Sequence, residues 1–331
     1  MKKKLILGGI VGALLLWLSL RHVEYADLVS QLTRMRYVYA IPALILLFIM
    51  QYFRSFRWGL LIRPVERINQ LRLFSITSVG FFFIMAVPAR IGELVRPYLL
   101  ARRTSVSMSF ALASVIVERL FDVASILMLL IVVSWFMELP PWMTKAGTLF
   151  FSVVLFLVGG LLLLAFKRKW FVRIVSAVTG RLSQKHASRI ARWSYQFVEG
   201  LTVIADPVLF ITIAVLSLLI WVIGGGAVYC LFFAAGFDLS IVAAFAVMVI
   251  VIAGISIPTA PGFVGNWHFF CVMALSLFGV SKTDAMSFAV VHHFLSISVP
   301  VILGMIFLPS NLAFLPALGK VTASGKDCEG N

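Results

Sequence analysis

The chain has 331 residues, is 62% hydrophobic with a mean hydropathy of +1.05, and carries a formal charge of +15. Soluble domains hold roughly 45–50% apolar residues, so a water-soluble enzyme or binding module is excluded, and several runs approach the roughly 20 helical residues that cross a bilayer. The positive charge does not mark a nucleic-acid binder, because Lys and Arg cluster between apolar runs at 2–4, 54–72, 102–103 and 167–192; that is the pattern that keeps loops cytoplasmic and attracts anionic headgroups.

In chain order, the lysine triplet and the apolar stretch 5–20 resemble a signal peptide, but no small-x-small site follows, which predicts a retained first helix. Further full spans are predicted at 37–53, 109–135, 147–166, 207–235 and 286–308. The span 207–235 contains Gly224-Gly225-Gly226, a kink or a close-packing point. With the amino terminus inside, the alternation places the basic 54–72 and 167–199 segments inside and the 136–146 loop outside, and returns the carboxyl terminus to the cytoplasm.

Two stretches interrupt this pattern. Counting 71–103 as a full crossing would put Arg96, Arg102 and Arg103 outside and invert every later loop. It is therefore predicted as a re-entrant hairpin from the cytoplasm with its tip near Pro88, and 240–280 as a matching hairpin from outside with its tip near Pro261. The expectation is an all-α polytopic membrane protein with about six full spans and two re-entrant helical hairpins in an inverted-repeat arrangement. The plainer alternative is eight spans with proline kinks. One integral-membrane domain covers 1–318, with repeats at about 37–135 and 207–308. The basic loop 167–206 is predicted to form amphipathic surface helices, with Trp170, Phe171, Ile174 and Val175 against Arg173, Arg181 and Lys185. Residues 319–331 form a polar tail.

The interruptions share a pattern. Pro88-Ala89-Arg90-Ile91-Gly92-Glu93 and Pro261-Gly262-Phe263-Val264-Gly265-Asn266 both read Pro-x-x-(Ile/Val)-Gly-(Glu/Asn). Each precedes a polar pair deep in the next apolar segment, Glu118-Arg119 in one case and His292-His293 in the other. Irregular backbone survives at membrane depth only where it lines a cavity or is buried in protein, so a duplicated break points to a transport core.

Arg90, Glu93 and Arg96 are spaced to share part of a helical face, and Gly92 allows close approach of backbone or ligand. A carboxylate between two guanidiniums leaves net positive charge, and the arginine fork suits phosphate. The triad is either an anionic-headgroup site or an ion-pair cluster that pins the hairpin. Glu118, Arg119 and Asp122 each cost roughly 2.5–3.5 kcal/mol at mid-membrane, so they are predicted to face the triad across one charged cavity. His268, His292 and His293 are the polar counterparts in the second copy, either proton carriers or hydrogen-bonded interior histidines. Asn266 satisfies backbone freed near Pro261. Cys230, Cys271 and Cys328 are too dispersed for a disulfide framework or a metal site. Neither a nucleotide-binding loop, nor a zinc helix motif, nor a nucleophile elbow is present in the sequence.

The run Ala89-Arg90-Ile91-Gly92-Glu93-Leu94-Val95-Arg96-Pro97-Tyr98-Leu99, the later Ala113-Ser114-Val115-x-x-Glu118-Arg119-Leu120-Phe121-Asp122, and Pro258-Thr259-Ala260-Pro261-Gly262-Phe263-Val264-Gly265 resemble the membrane region of lysylphosphatidylglycerol synthases. This is the flippase-like domain of multiple peptide resistance factors. The resemblance implies transfer of aminoacylated or other polar lipids between leaflets, with Arg90, Glu93, Arg96, Glu118, Arg119 and Asp122 as functional residues. It departs from the family at Asn266, where a carboxylate is commoner, and at the histidines that follow. The soluble aminoacyl-transferase domain has no counterpart here, so lysylphosphatidylglycerol synthesis is not expected.

Together these features predict an inner-membrane lipid transporter, flippase or scramblase-like, acting on a phosphate-bearing or aminoacylated lipid through a charged intramembrane cavity. The alternatives are a membrane-embedded enzyme using Glu93 or Glu118 as base on a lipid-linked sugar, and an accessory subunit acting with a lipid-modifying enzyme. Neither a cofactor nor a metal is expected. Membrane lipids are the expected partners, with a homo-oligomer left open.

Overall fold

The computed structural model describes residues 2–21, 23–87, 92–137, 145, 147–149, 151–153, 155–157, 159–160, 167, 184–201, 206–256 and 260–315. Among these residues all regular structure is helical. In chain order the helices are α1 (Lys2–Leu20), α2 (Tyr25–Arg34), α3 (Ala40–Ile62), α4 (Gln70–Ala86), α5 (Val95–Arg103), α6 (Met108–Phe136), α7 (Gln184–Leu201), α8 (Pro207–Ala235), α9 (Ile241–Ile255), α10 (Asn266–Ser276) and α11 (Lys282–Phe307).

Polar side chains at the apolar boundaries set the helix starts. Asn69, Ser107, Asp206, Ser240 and Ser281 each accept a hydrogen bond from a backbone N–H in the first turn that follows, satisfying donors that no preceding turn can pair. Three helical stretches, Tyr37–Ile62, Pro207–Ala235 and Lys282–Phe307, are long and apolar enough to cross a membrane. Helix α6 has 29 residues but carries Glu118, Arg119 and Asp122. Large apolar side chains face outward along these helices, including Val208, Ile211 and Val215 on α8 and Phe294, Ile302 and Met305 on α11. That is the surface of a protein whose solvent is lipid, and the molecule is a multi-pass helical membrane protein.

One expected boundary is corrected. The second span does not stop at Phe53; α3 continues to Ile62, so Arg54 and Arg57 lie on a membrane helix rather than in a basic loop. Charge density alone suggested a loop. The helix tolerates both guanidiniums because they turn inward, where carboxylates and aromatic faces receive them. Helix α8 runs unbroken through Gly224-Gly225-Gly226, which face Met50, Met248 and Phe245 on the neighbouring helices. Close packing, not a kink, explains that triplet.

Both interrupted regions are helix–break–helix units. After α4, the chain resumes at Gly92 in a short 3-10 turn, with Gly92 pressed on the α4 backbone at Phe83 and Ile84, and α5 packs back on α4. After α9, a 3-10 turn at Pro261–Phe263 leads into α10, which packs back on α9. Asn266 Nδ2 donates to the Gly254 carbonyl at 3.2 Å across that return. Gly265 has φ +91° and ψ −62°, and a Cβ there would sit 2.0 Å from the Gly12 carbonyl oxygen of α1. The second break is thus shaped against α1, whose C-terminal carbonyls at Leu18 and Arg21 accept from Lys282 Nζ.

The long helices pair in a regular way. Helix α3 packs along α8, α4 along α11, and α9 along α6. Helix α7 lies on α6, with Gly200 against Ala113 and Phe110. The amphipathic segment around Trp170 and Arg181, the end of the span 147–166 from residue 161 and the tail 319–331 fall outside the described residues.

Candidate functional site

Helix α3 carries a polar stripe at three-residue spacing, Gln51, Arg54 and Arg57, on an otherwise apolar face. Arg57 is fully buried and forks between two carboxylates of α6. Its Nη2 donates to Glu118 Oε1 at 2.9 Å, and its Nη1 donates to Asp122 Oδ1 at 2.7 Å and to Ser217 Oγ at 2.6 Å. Arg96, brought in by α5, places Nη1 2.9 Å from Glu118 Oε2 and stacks its guanidinium on the Trp58 ring at 4.3 Å. That Arg96–Glu118 contact is electrostatic more than directional, since the oxygen receives no aligned N–H. Gly80 on α4 makes room for it: a Cβ there would lie 2.0 Å from Arg96 Cγ. Asp122 also accepts from Trp221 Nε1 at 3.2 Å and lies 3.5 Å from Arg119 Nη1.

The network joins α3, α5, α6 and α8 through one set of charges. Arg57, Arg96 and Glu118 are 0%, 1% and 0% exposed, so the centre is closed. An unpaired ion would cost about 2.5–3.5 kcal/mol at this depth, and breaking a buried pair typically costs about 3–5 kcal/mol. The physical role of the centre is to lock helices together.

The hollow lies beside the lock rather than within it. A cavity of about 120 Å³ opens between α3, α8, α9, α10 and α11, lined by Gln51, Arg54, Trp221, Trp267, His292 and Ser296 together with apolar side chains. Trp221 belongs to both features, since its indole N–H binds Asp122 and its ring lines the cavity. Arg54 is partly exposed and is held between the faces of Phe81, at 4.9 Å, and Trp221, at 5.6 Å. Among the described residues no carboxylate comes within 4.0 Å of it.

The sequence-predicted residues therefore separate. Arg96, Glu118, Arg119 and Asp122 come together around Arg57 in a closed cluster with Arg119 partly exposed at its edge, and none of the four lines the cavity. Arg90 lies outside the described residues. Glu93 sits partly buried on the turn 92–94, and Gly92 packs on α4. In the second copy Pro261 opens the break, Gly265 meets α1 and Asn266 ties α10 to α9. The adjacent histidines diverge. His293 Nε2 donates to the Gly262 carbonyl at 2.7 Å and pins the break, with the His268 ring tilted against it at 4.8 Å. His292 instead accepts from Trp267 Nε1 at 3.3 Å and lines the cavity.

The family model for the lysylphosphatidylglycerol synthase transmembrane region matches residues 5–304, from α1 to α11. The chain belongs to the lysylphosphatidylglycerol synthase transmembrane-region family. Both breaks, the ion cluster and the cavity fall inside the matched region. The chain is also similar to UPF0104 membrane proteins. A UPF0104 membrane protein of Methanothermobacter thermautotrophicus is 26% identical over 327 residues, covering 93% of this chain and 96% of the relative. Another, from Methanocaldococcus jannaschii, is 24% identical over 233 residues, covering 68% of this chain and 92% of the relative.

Proposed function

We propose that the protein moves a polar lipid between the leaflets of the cell membrane in flippase or scramblase fashion, the headgroup passing through the Arg54 cavity while the acyl chains stay in the bilayer. The observation that carries this reading is a cation, Arg54, that lines a hollow between helices of both halves and has no carboxylate within 4.0 Å among the described residues. Ionisable groups at membrane depth mark substrate pathways, and Arg54, unlike Arg57 on the same helix, is not held in the ion cluster.

The helix pairing supports an inverted-repeat frame, with α3–α6 as one copy and α8–α11 as the other. In that frame α3 pairs with its own counterpart α8, and the contact of α4 with α11 is matched by that of α9 with α6. That exchange is what a two-fold relation between copies produces. Six full spans with re-entrant units at 71–103 and 240–280 then place the breaks on opposite faces, as alternating access needs. Both termini are cytoplasmic in this arrangement.

Purified protein reconstituted into sealed vesicles with a trace of fluorescent phosphatidylglycerol tests the activity. A membrane-impermeant reductant added outside should bleach the inner-leaflet probe as well as the outer. An inner-leaflet pool that stays protected, as in protein-free vesicles, would overturn the transport reading.

A further inference from the structure

We infer that the cavity is an oxyanion site, built for the phosphate of an anionic headgroup and closed to aminoacylated, cationic ones; this assignment rests on the transport reading but names the chemistry of its cargo. Three donor-bearing side chains line the hollow, Arg54 and Gln51 from α3 and His292 from α11. Arg54 brings a guanidinium whose described contacts are ring faces, which hold a cation in place without neutralising it. Gln51, one turn away on α3, is 2% exposed, and its Nε2 has no acceptor among the described residues. A buried amide donor left unpaired is costly, so the pocket is complete only with an acceptor in it. On α11, His292 receives the Trp267 indole N–H on Nδ1, which leaves the proton of the neutral ring on Nε2.

Donors of these kinds suit the oxygens of a phosphate. Arginine engages two oxygens at once, and charge-assisted hydrogen bonds are the strong class. The rejection follows from the same lining, because no Asp or Glu is among the described residues around the cavity. The carboxylates of this region are spent on Arg57, Arg96 and Arg119. An ammonium placed beside the phosphate would meet Arg54 and, among the described lining residues, no carboxylate, in a low-dielectric space where like charges repel strongly.

The shared chemistry, a phosphate oxyanion, can come from a lipid headgroup or from free phosphate, and binding to the purified full-length protein separates them without requiring transport. Dioctanoyl phosphatidylglycerol, its lysyl ester, dioctanoylglycerol and inorganic phosphate are titrated separately, read by the fluorescence of the cavity tryptophans. Phosphatidylglycerol is expected to bind at least about tenfold more tightly than either of the other two lipids, the scale of one charge-assisted contact. Arg54→Gln should bring it down to the level of dioctanoylglycerol. Saturable binding of inorganic phosphate that is lost in Arg54→Gln assigns the site to the free ion, and its absence assigns it to the lipid headgroup. If Arg54→Gln does not fold, Gln51→Leu should weaken phosphatidylglycerol by about fivefold, the worth of one hydrogen bond. Equal affinities for the three lipids, or a preference that survives these substitutions, would overturn the assignment. Selective binding in a protein that leaves leaflets unmixed would instead remove the transport reading and leave the site standing.

Discussion

Arg57→Ala is expected to destabilise the protein by about 3–5 kcal/mol, the usual penalty for stranding a buried charge, and so to lower its unfolding midpoint in detergent more than any other single change in the ion cluster. Two carboxylates depend on this one guanidinium. Glu118 keeps a poorly aligned contact with Arg96, and Asp122 keeps the longer one to Arg119. Arg57→Lys should fall between wild type and alanine. Lysine restores the charge, but a single ammonium cannot reproduce a fork whose two ends meet different carboxylates. A lysine variant as unstable as alanine would mean that the charge contributes little, and an alanine variant as stable as wild type would show that the cluster locks nothing.

Gly265→Val should be comparably damaging, for a different reason. Its φ of +91° lies where side chains are strained by about 1–3 kcal/mol, and any Cβ collides with the Gly12 carbonyl. The substitution must either distort the turn into α10 or push α1 away. Expected unfolding midpoints fall in the order wild type, Gly12→Ala, Gly265→Ala, Gly265→Val, because a Cβ at Gly12 meets its nearest atoms only at 3.0 Å. The same order should appear in proteolysis of the chain between α1 and α2, which becomes accessible as α1 detaches. A wild-type midpoint for Gly265→Ala would show that α1 does not brace the second break.

Much of this architecture was legible in the residues. Apolar runs bounded by Asn, Ser and Asp gave helices whose starts those same side chains cap, and the Pro-x-x-(Ile/Val)-Gly pattern located both breaks. Glu118, Arg119 and Asp122 announced themselves by sitting in the middle of an apolar run, where only a partner makes them tolerable.

What stayed hidden was the partner. Arg57 and Arg54 follow Phe53 among other basic residues, and counting charge placed them in a loop. The signal that could have found them was their register: Gln51, Arg54 and Arg57 share one face, while Phe56 and Tyr52 point outward. Periodicity, more than charge density, decides whether a basic residue ends a span or lines its inside. Nor could sequence show that the lock and the hollow are separate. That division arises because Asp122 takes the Trp221 indole on one side while the Trp221 ring closes the cavity on the other.

The most direct test of transport through the cavity is to fill it. Ser296 on α11 lines the same hollow as Arg54, and Ser296→Trp places a bulky ring where a headgroup must pass. In sealed vesicles this variant, checked for a wild-type unfolding midpoint, is predicted to transfer fluorescent phosphatidylglycerol no faster than protein-free membranes do. Transfer at the wild-type rate with the cavity plugged would contradict the account, since the lipid would then have another route.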